Sequence, residues 1–512
     1  MRPASRLHVC ALLASALLWA PAAPADTLAE AMVRALTHLP EVRAARANQR
    51  AIEETAAQAR GAWYPTLDAS LGQGRETSNN PSTRVLGTDQ TLTRRESELS
   101  LSQLLFDGGA ASGQVRRLRA RALGAGEQLA DTAQSAGLRA AEAYLDVTRL
   151  RELIALAAEN EKRHEETLAQ VSRLADVGQG RRADAQQADA RLALAQASLA
   201  QLRGQLAQAE ADYQHLTGRP PGQLADAGSY AYALPATLAD ALALALQTHP
   251  AILAAQNALL AAQAERESQR SSATAPRLAL EVGASANYNL DGVPGAYDNR
   301  FAMLRLRYNL FRGGTDIARV REAEARIDEA LADYGRARND IERNLRQSWE
   351  GLTMDRERLP QLQRYAAASA QVVTAYRKQF SIGQRTLLDV LNAENELYSA
   401  RSSRDTGVHA VTLGELRVLA AMGKLLATLG VSVNTAPDTL LARAPAPAPA
   451  AAPREQNEID AVQAPAREPV AGFAGNGTPA PAREPTGMAV ATSLRMSMSL
   501  GSAGPAGRQA AQ

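Results

Sequence analysis

The chain has 512 residues, 4% of them aromatic and 21% charged, a composition too poor in rings for several large compact cores and suited to long helices packed through small side chains. Its formal net charge of +2 is spread over arginines interleaved with Glu and Asp, which argues against a nucleic-acid partner and reads as solvated helix faces. The one cysteine, Cys10, falls in the leader described next, so the mature chain is expected to form no disulfide.

Residues 1–25 read as a secretory signal peptide: Arg2 and Arg6, an apolar run from Val9 to Ala20, then Ala23-Pro24-Ala25 as a small-x-small cleavage site. The apolar run is about 12 residues, short of the roughly 20 that a spanning helix needs, and Cys10 precedes most of it, so it does not read as a lipid-attachment site. "TLAEAMVRALTHLPEV" from Thr27 reads as a Pro-interrupted helix. Alternation follows, weakly from Tyr64 to Gly72 and clearly where Leu99, Leu101 and Leu105 alternate with Glu98, Ser100 and Ser102. It ends in Leu-Phe-x-Gly-Gly, with Phe106, Gly108 and Gly109 marking a strand-to-helix corner that needs the permissive backbone of glycine. No Pro occurs from Ala111 to Val177, which predicts a helix of roughly 100 Å at 1.5 Å per residue. Val177-Gly178-Gln179-Gly180 reverses the chain, and the return carries a heptad seam of Leu192, Ala195, Leu199, Leu202, Leu206, Ala209 and Tyr213.

The same order then recurs. "TLADALALALQTHPAI" from Thr237 matches the first helical phrase. Leu278, Leu280 and Val282 alternate with Arg277 and Glu281, and Leu304, Leu306, Tyr308 and Leu310 with Arg305 and Arg307. Phe311, Gly313 and Gly314 repeat the corner, a second long helix follows in which Pro360 predicts a kink, and Ile382-Gly383-Gln384-Arg385 repeats the turn. We therefore expect two repeats, over 26–226 and 227–435, and a disordered tail over 436–512, rich in Pro and Ala and repeating "PAREP" at Pro465 and Pro481.

No later stretch holds 18 consecutive apolar residues, so any entry into a membrane is expected through strands. The alternating runs suit tilted transmembrane strands, although a soluble half-buried sheet would alternate equally. Four strands are too few to close a barrel, and long helices with a narrow apolar stripe need neighbours, so several copies are expected to join. The apolar faces would carry Leu99, Leu101, Leu280, Val282, Leu304 and Leu306, leaving Glu98, Glu281, Arg305 and Arg307 toward water. Nothing points to catalysis: the six His are scattered, no metal-ligand spacing, phosphate loop or nucleophile motif occurs, and Glu165 and Glu166 read as solvated helix residues. No catalytic residue, metal or cofactor is expected.

These features, and above all "YRKQFSIGQRTLLDVLNAENELYSAR" from Tyr376, resemble the TolC family of outer-membrane efflux and secretion ducts over nearly all of Asp26 to Val431. The resemblance implies a mainly α protein with a β-barrel portion: a homotrimer whose twelve-stranded outer-membrane barrel, in contact with outer-membrane lipid, continues into a periplasmic helical tube. It implies docking of the tips, at Val177, Gly178, Ile382 and Gly383, onto a periplasmic adaptor coupled to an inner-membrane transporter. The missing lipid site and the Gln-Arg-Thr-Leu-Leu-Asp-Val-Leu wording look closer to ducts of type I protein secretion, driven by an ABC transporter, than to lipidated drug-efflux ducts. A multidrug duct and a periplasmic coiled-coil adaptor are the alternatives. The family's periplasmic gate carries over to Arg385, Asp389 and Asn392, the last having lost its charge, with Asp184 as the arginine's partner across the entrance. Phe380 stands where the family has a tyrosine hydroxyl.

Overall fold

The computed structural model describes residues 25–85 and 90–433. The leader, apart from Ala25, and the tail expected over 436–512 lie outside the described residues. Thr27 opens helix α1 (Leu28–His38) with a capping box, its hydroxyl accepting from the Glu30 N–H while Glu30 accepts from the Thr27 N–H. Pro40 forces Leu39 out of the helical region, to φ −64 and ψ 125, and itself starts α2 (Pro40–Arg60) at the one turn where its missing N–H costs nothing. In the second half Thr237 accepts from the Asp240 N–H at the start of α6 (Leu238–Thr248) without completing a box, and Pro250 again starts α7 (Pro250–Thr274), here with His249 as a side-chain cap. The stretch Leu238–Thr274 is long and apolar enough by composition to cross a membrane, which amends the expectation of no such helix. Here it is divided at His249, and α7 packs against the two long helices introduced next.

Between the helix pairs lie β1 (Thr66–Ser78), a short α3 (Pro81–Val85) and β2 (Gln90–Phe106), then the 67-residue α4 (Ala110–Asp176) and α5 (Arg182–Thr217). The second half repeats them as β3 (Arg277–Tyr288), β4 (Ala296–Arg307), the 67-residue α8 (Thr315–Ser381) and α9 (Leu387–Ala421), closed by α10 (Leu425–Thr428). The expected kink at Pro360 does not break α8, which is continuous and as long as α4. Pro360 lies on an exposed face of the helix, so the carbonyl deprived of its donor can turn to water.

The four strands form one antiparallel sheet in the order β1-β2-β3-β4. Residues directly opposite share a face. Leu101 lies opposite Val282, Leu280 opposite Leu304, and Leu278 opposite Leu306, so the six apolar residues named above occupy one face. Glu98, Glu281, Arg305 and Arg307 occupy the other, where Glu281 accepts from Arg305 at 2.6 Å and from Arg307 at 3.4 Å. Two details depart from the expected alternation. A bulge between Leu104 and Phe106 places Phe106, and not Leu105, opposite Leu278. The alternation of Tyr308 and Leu310 is not strand, because β4 ends at Arg307 opposite Arg277, the first residue of β3. Pro276 precedes it and has no N–H to offer a longer ladder.

The main core sits midway along α4. Ala31, Met32 and Ala35 of α1 are fully buried among Ala133, Ala136 and Ala140 of α4 and Leu425 and Leu426 of α10. Gly137 permits this approach, since a Cβ there would lie 2.8 Å from Leu426 and 2.9 Å from Met32. The heptad seam of α5 turns inward as expected, with Ala195, Leu199, Ala209 and Tyr213 buried. Buried Glu415 of α9 holds the segment between the halves, accepting from Ser229 Oγ at 2.9 Å, the Tyr230 N–H at 2.7 Å and Arg356 at 2.9 Å.

Candidate channel entrance and corners

At both corners the glycines have the left-handed backbone that glycine alone adopts freely: φ is 70 and 89 at Gly108 and Gly109, and 60 and 83 at Gly313 and Gly314. Gly109 and Gly314 each cap a long helix. The corners are otherwise unequal. Asp107 accepts from the N–H groups of Gly109 at 3.0 Å and Ala111 at 2.7 Å, satisfying free donors of the first turn of α4. Arg312 at the matching place cannot do this, and it lies 3.5 Å from Asp316 of α8 instead. Phe106 closes its strand directly, whereas Phe311 stands beyond the end of β4; both rings are exposed.

The tips are more alike. Gly178 and Gly383 have φ of 74 and 76. The Gln179 N–H reaches back to the Leu174 carbonyl at 2.9 Å and the Gln384 N–H to that of Gln379 at 2.8 Å, the six-to-one bond of a Schellman turn. Val177 and Ile382 cap α4 and α8 and are exposed, an apolar residue on each tip.

The four gate residues do not form one cluster within the chain. The Arg385 guanidinium stacks 4.3 Å over the Tyr376 ring, donates to Gln379 at 3.1 Å and lies 3.9 Å from Asp389, all within its own hairpin. No ion pair joins it to Asp184 among the described residues of the chain. Asp389 completes a capping box, accepting from Thr386 Oγ1 at 2.8 Å and the Thr386 N–H at 3.2 Å. The hydroxyl bond, the backbone bond and the Arg385 charge hold its carboxyl below the usual range. Asp184 occupies the matching position in α5, but there the cap is Arg181, which offers no side-chain acceptor bond, so no box ties Asp184 down. Asn392 accepts from Arg191 of α5 at 3.1 Å. Phe380 packs against the buried cluster of Val171, Leu387 and Leu391.

Sequence reasoning did not single out Arg191, His164 or the pair of Arg377 with buried Glu394, at 2.7 Å. Arg191 stands seven residues after Asp184, two turns along the same face, and that spacing was the available signal.

A sheet apolar on one face and charged on the other, turning directly into helices of roughly 100 Å, is the arrangement that a membrane channel with a long extramembrane tunnel requires. A family model described as outer membrane efflux protein matches residues 31–219 and 241–423, and the chain belongs to that family. It is 29% identical over 427 residues to the outer membrane efflux protein BepC of Brucella suis, covering 82% of this chain and 91% of BepC. It is also 29% identical over 378 residues to the alkaline protease secretion protein AprF of Pseudomonas aeruginosa, covering 72% and 78%. The fold matches the crystal structure of the channel CusC with a TM-score of 0.67 at 20% identity, over 78% of this chain and 92% of that one. The protein is thus an outer-membrane channel of a Gram-negative cell, its helices forming a periplasmic tunnel.

Proposed function

We propose that three copies close the barrel, bounded per chain by repeats over 26–226 and 227–435, and that the tips dock onto a periplasmic adaptor fed by an inner-membrane ABC transporter that exports protein. The observation that carries the assembly is the sheet: β1 and β4 are its two edges, and an unpaired edge cannot face lipid. Joining β4 of one copy to β1 of the next removes every edge. The exposed apolar pair of Val177 and Ile382 is the surface we assign to the adaptor, and Arg385, Asp389, Asn392 and Asp184 the entrance.

Similarity to AprF, named for alkaline protease secretion, supports protein export as the route. Equal identity to BepC, named as an efflux protein, supports the second reading, a duct for small molecules. Purification of the detergent-solubilised complex with identification of the co-purifying transporter separates them. An ABC exporter whose deletion abolishes one secreted protein is the expected result. A drug transporter, with an unchanged secretome and lost drug resistance, would establish the second reading.

A further inference from the structure

We propose that Arg75 of β1 and Arg95 of β2 form a binding site on the outside of the barrel for a phosphate of an outer-leaflet glycolipid; the inference rests on the assignment of the apolar face of the sheet to lipid. Strand register places these side chains. Leu67 lies opposite Leu101, Leu101 opposite Val282 and Val282 opposite Ala302, so one row of the apolar face crosses all four strands. Every second residue from that row keeps to the same face. Away from the helices the outward positions are Ala69, Leu71, Gln73 and Arg75 on β1, Leu99, Ser97 and Arg95 on β2, and Arg300 directly on β4. On each of these strands the arginine is the first charge turned outward beyond the apolar run. On β3 the boundary is aromatic instead, with Tyr288 directly opposite Arg95.

The depth fits a membrane boundary. From Arg95 to Phe106 the strand is about 35 Å long at about 3.3 Å per residue, and at a tilt of about 40° it spans roughly 27 Å of depth, close to the height of an outer-membrane apolar band. Phe106 stands at the helix end, so Arg95 and Tyr288 stand at the end remote from the periplasmic tunnel, level with the headgroups of the outer leaflet.

The two faces of the sheet treat arginine differently. Inward, Arg94 lies 3.1 Å from Glu76 and 3.5 Å from Asp291, and Arg305 and Arg307 lie 2.6 and 3.4 Å from Glu281. Arg277, at the foot of β3, is the inward strand arginine with no such partner among the described residues. Outward, Arg75, Arg95 and Arg300 are all exposed, and none has a hydrogen bond or ion pair among the described residues. Asp298, the next outward position after Arg300, is the one outward carboxylate of the four strands, and it lies on the far strand from β1. Arg75 lies opposite Thr93, whose next outward neighbour is Arg95, which makes the two arginines a diagonal pair about 7–8 Å apart. Two guanidinium forks at that spacing can close on one tetrahedral phosphate from either side, each donating two N–H bonds. A zwitterionic headgroup would bring its own cation against the pair, and hydrocarbon offers no acceptor. The matching group is a net anionic phosphate, which the outer leaflet of a Gram-negative outer membrane carries on the sugar of a glycolipid.

Lipid capture by the purified, detergent-solubilised trimer tests this, with bisphosphorylated lipid A, its dephosphorylated form and phosphatidylglycerol as probes and ion selectivity in planar bilayers as a second readout. The unmodified protein is expected to hold bisphosphorylated lipid A about tenfold more tightly than either other probe, the scale of one charged hydrogen-bonded contact. Arg75→Gln combined with Arg95→Gln should lose that preference, and Arg94→Gln, on the inward face, should keep it. Equal capture of phosphatidylglycerol overturns the glycolipid assignment, and equal capture of the dephosphorylated form overturns the site. Both comparisons use the unmodified protein, so they decide even if the double variant fails to form trimers. A double variant that keeps the preference with unchanged ion selectivity overturns the site and leaves the lipid face standing. One that keeps the preference while the channel becomes more cation-selective places the arginines in the lumen and overturns both readings. A larger loss in Arg300→Gln than in the double variant would overturn the assignment to β1 and β2.

Discussion

Tyr144 joins three parts of the chain at one oxygen. Fully buried in α4, its hydroxyl lies 2.8 Å from the Asp26 carbonyl and 2.6 Å from that of Ala225, to which its single proton is shared, and burial pushes the phenol up to about 12. Asp26 also accepts from the Ala225 N–H at 3.0 Å, so Tyr144→Phe strands chiefly the Ala225 carbonyl. An unpaired buried acceptor costs about 1–3 kcal/mol, and a correspondingly lower thermal midpoint of the trimer is expected. An unchanged midpoint would mean water replaces the hydroxyl. His249 makes a second residue-scale case. Its Nδ1 accepts from the Ala251 N–H at 3.2 Å at the start of α7, and burial lowers its pKa, so the ring is held neutral. A base whose folded pKa is depressed gives stability that is present above its unfolded value, about 6.5, and is lost as pH falls through the folded value. Asp131, raised by burial, acts in the opposite sense. Acidification below about pH 6.5 is expected to destabilise the protein through His249. His249→Asn, which keeps a capping acceptor without a titrating ring, should flatten the pH slope, and His164, also lowered by burial, acts in the same direction as His249. An identical slope in the variant would remove His249 from the explanation.

At the scale of elements, the sheet has one lipid face and one lumen face in the proposed barrel, and Val282 distinguishes them. It lies mid-strand opposite Leu101 and Ala302, where an arginine facing hydrocarbon costs about 2–4 kcal/mol. Val282→Arg should reduce heat-resistant trimers in the membrane fraction, while Arg305→Leu, which loses only its pair with Glu281, should assemble. The reverse pattern would invert the assignment of faces. The turn at Gly383 separates folding from docking in a similar way. A Cβ there meets nothing within 4 Å, yet φ of 76 strains any substitution. Gly383→Ala and Gly383→Trp thus share the strain, and only Trp projects bulk from the tip. Trimers with export lost in Trp alone are expected; equal loss in Ala would assign the glycine to the turn.

At the scale of the whole molecule, the order of elements was legible because glycine, proline and alternation act locally: Gly109 and Gly314 cap where expected, and Pro40 and Pro250 start helices. What escaped depends on partners far along the chain. The strand register sets the bulge after Leu104 and lets Pro276 end the ladder of β4, while Arg191 meets a residue 201 positions away, a partner that its spacing from Asp184 does not name. The entrance shows the same division. Arg385 and Asp389 were marked by their motif, and Thr386-Leu-Leu-Asp389 also spells the capping box that occupies Asp389, which sequence reasoning did not single out. That box gives Asp389 two roles, closing the first turn of α9 and presenting charge. In the proposed trimer three such carboxylates ring the axis, attract cations and narrow the path for anions. Asp389→Asn keeps an acceptor for Thr386 and removes the charge, so it should weaken block by a trivalent cation while the tip stays folded. Thr386→Val loosens the box yet keeps the charge, so block should persist. Because Thr386 and Arg385 depress the Asp389 carboxyl, block in the unmodified channel should outlast acidification past about 3.9, the ordinary carboxylate value, and fade only below it. Bilayer currents recorded with the blocker across that range check both statements. Block that survives Asp389→Asn would place the constriction elsewhere along the tunnel.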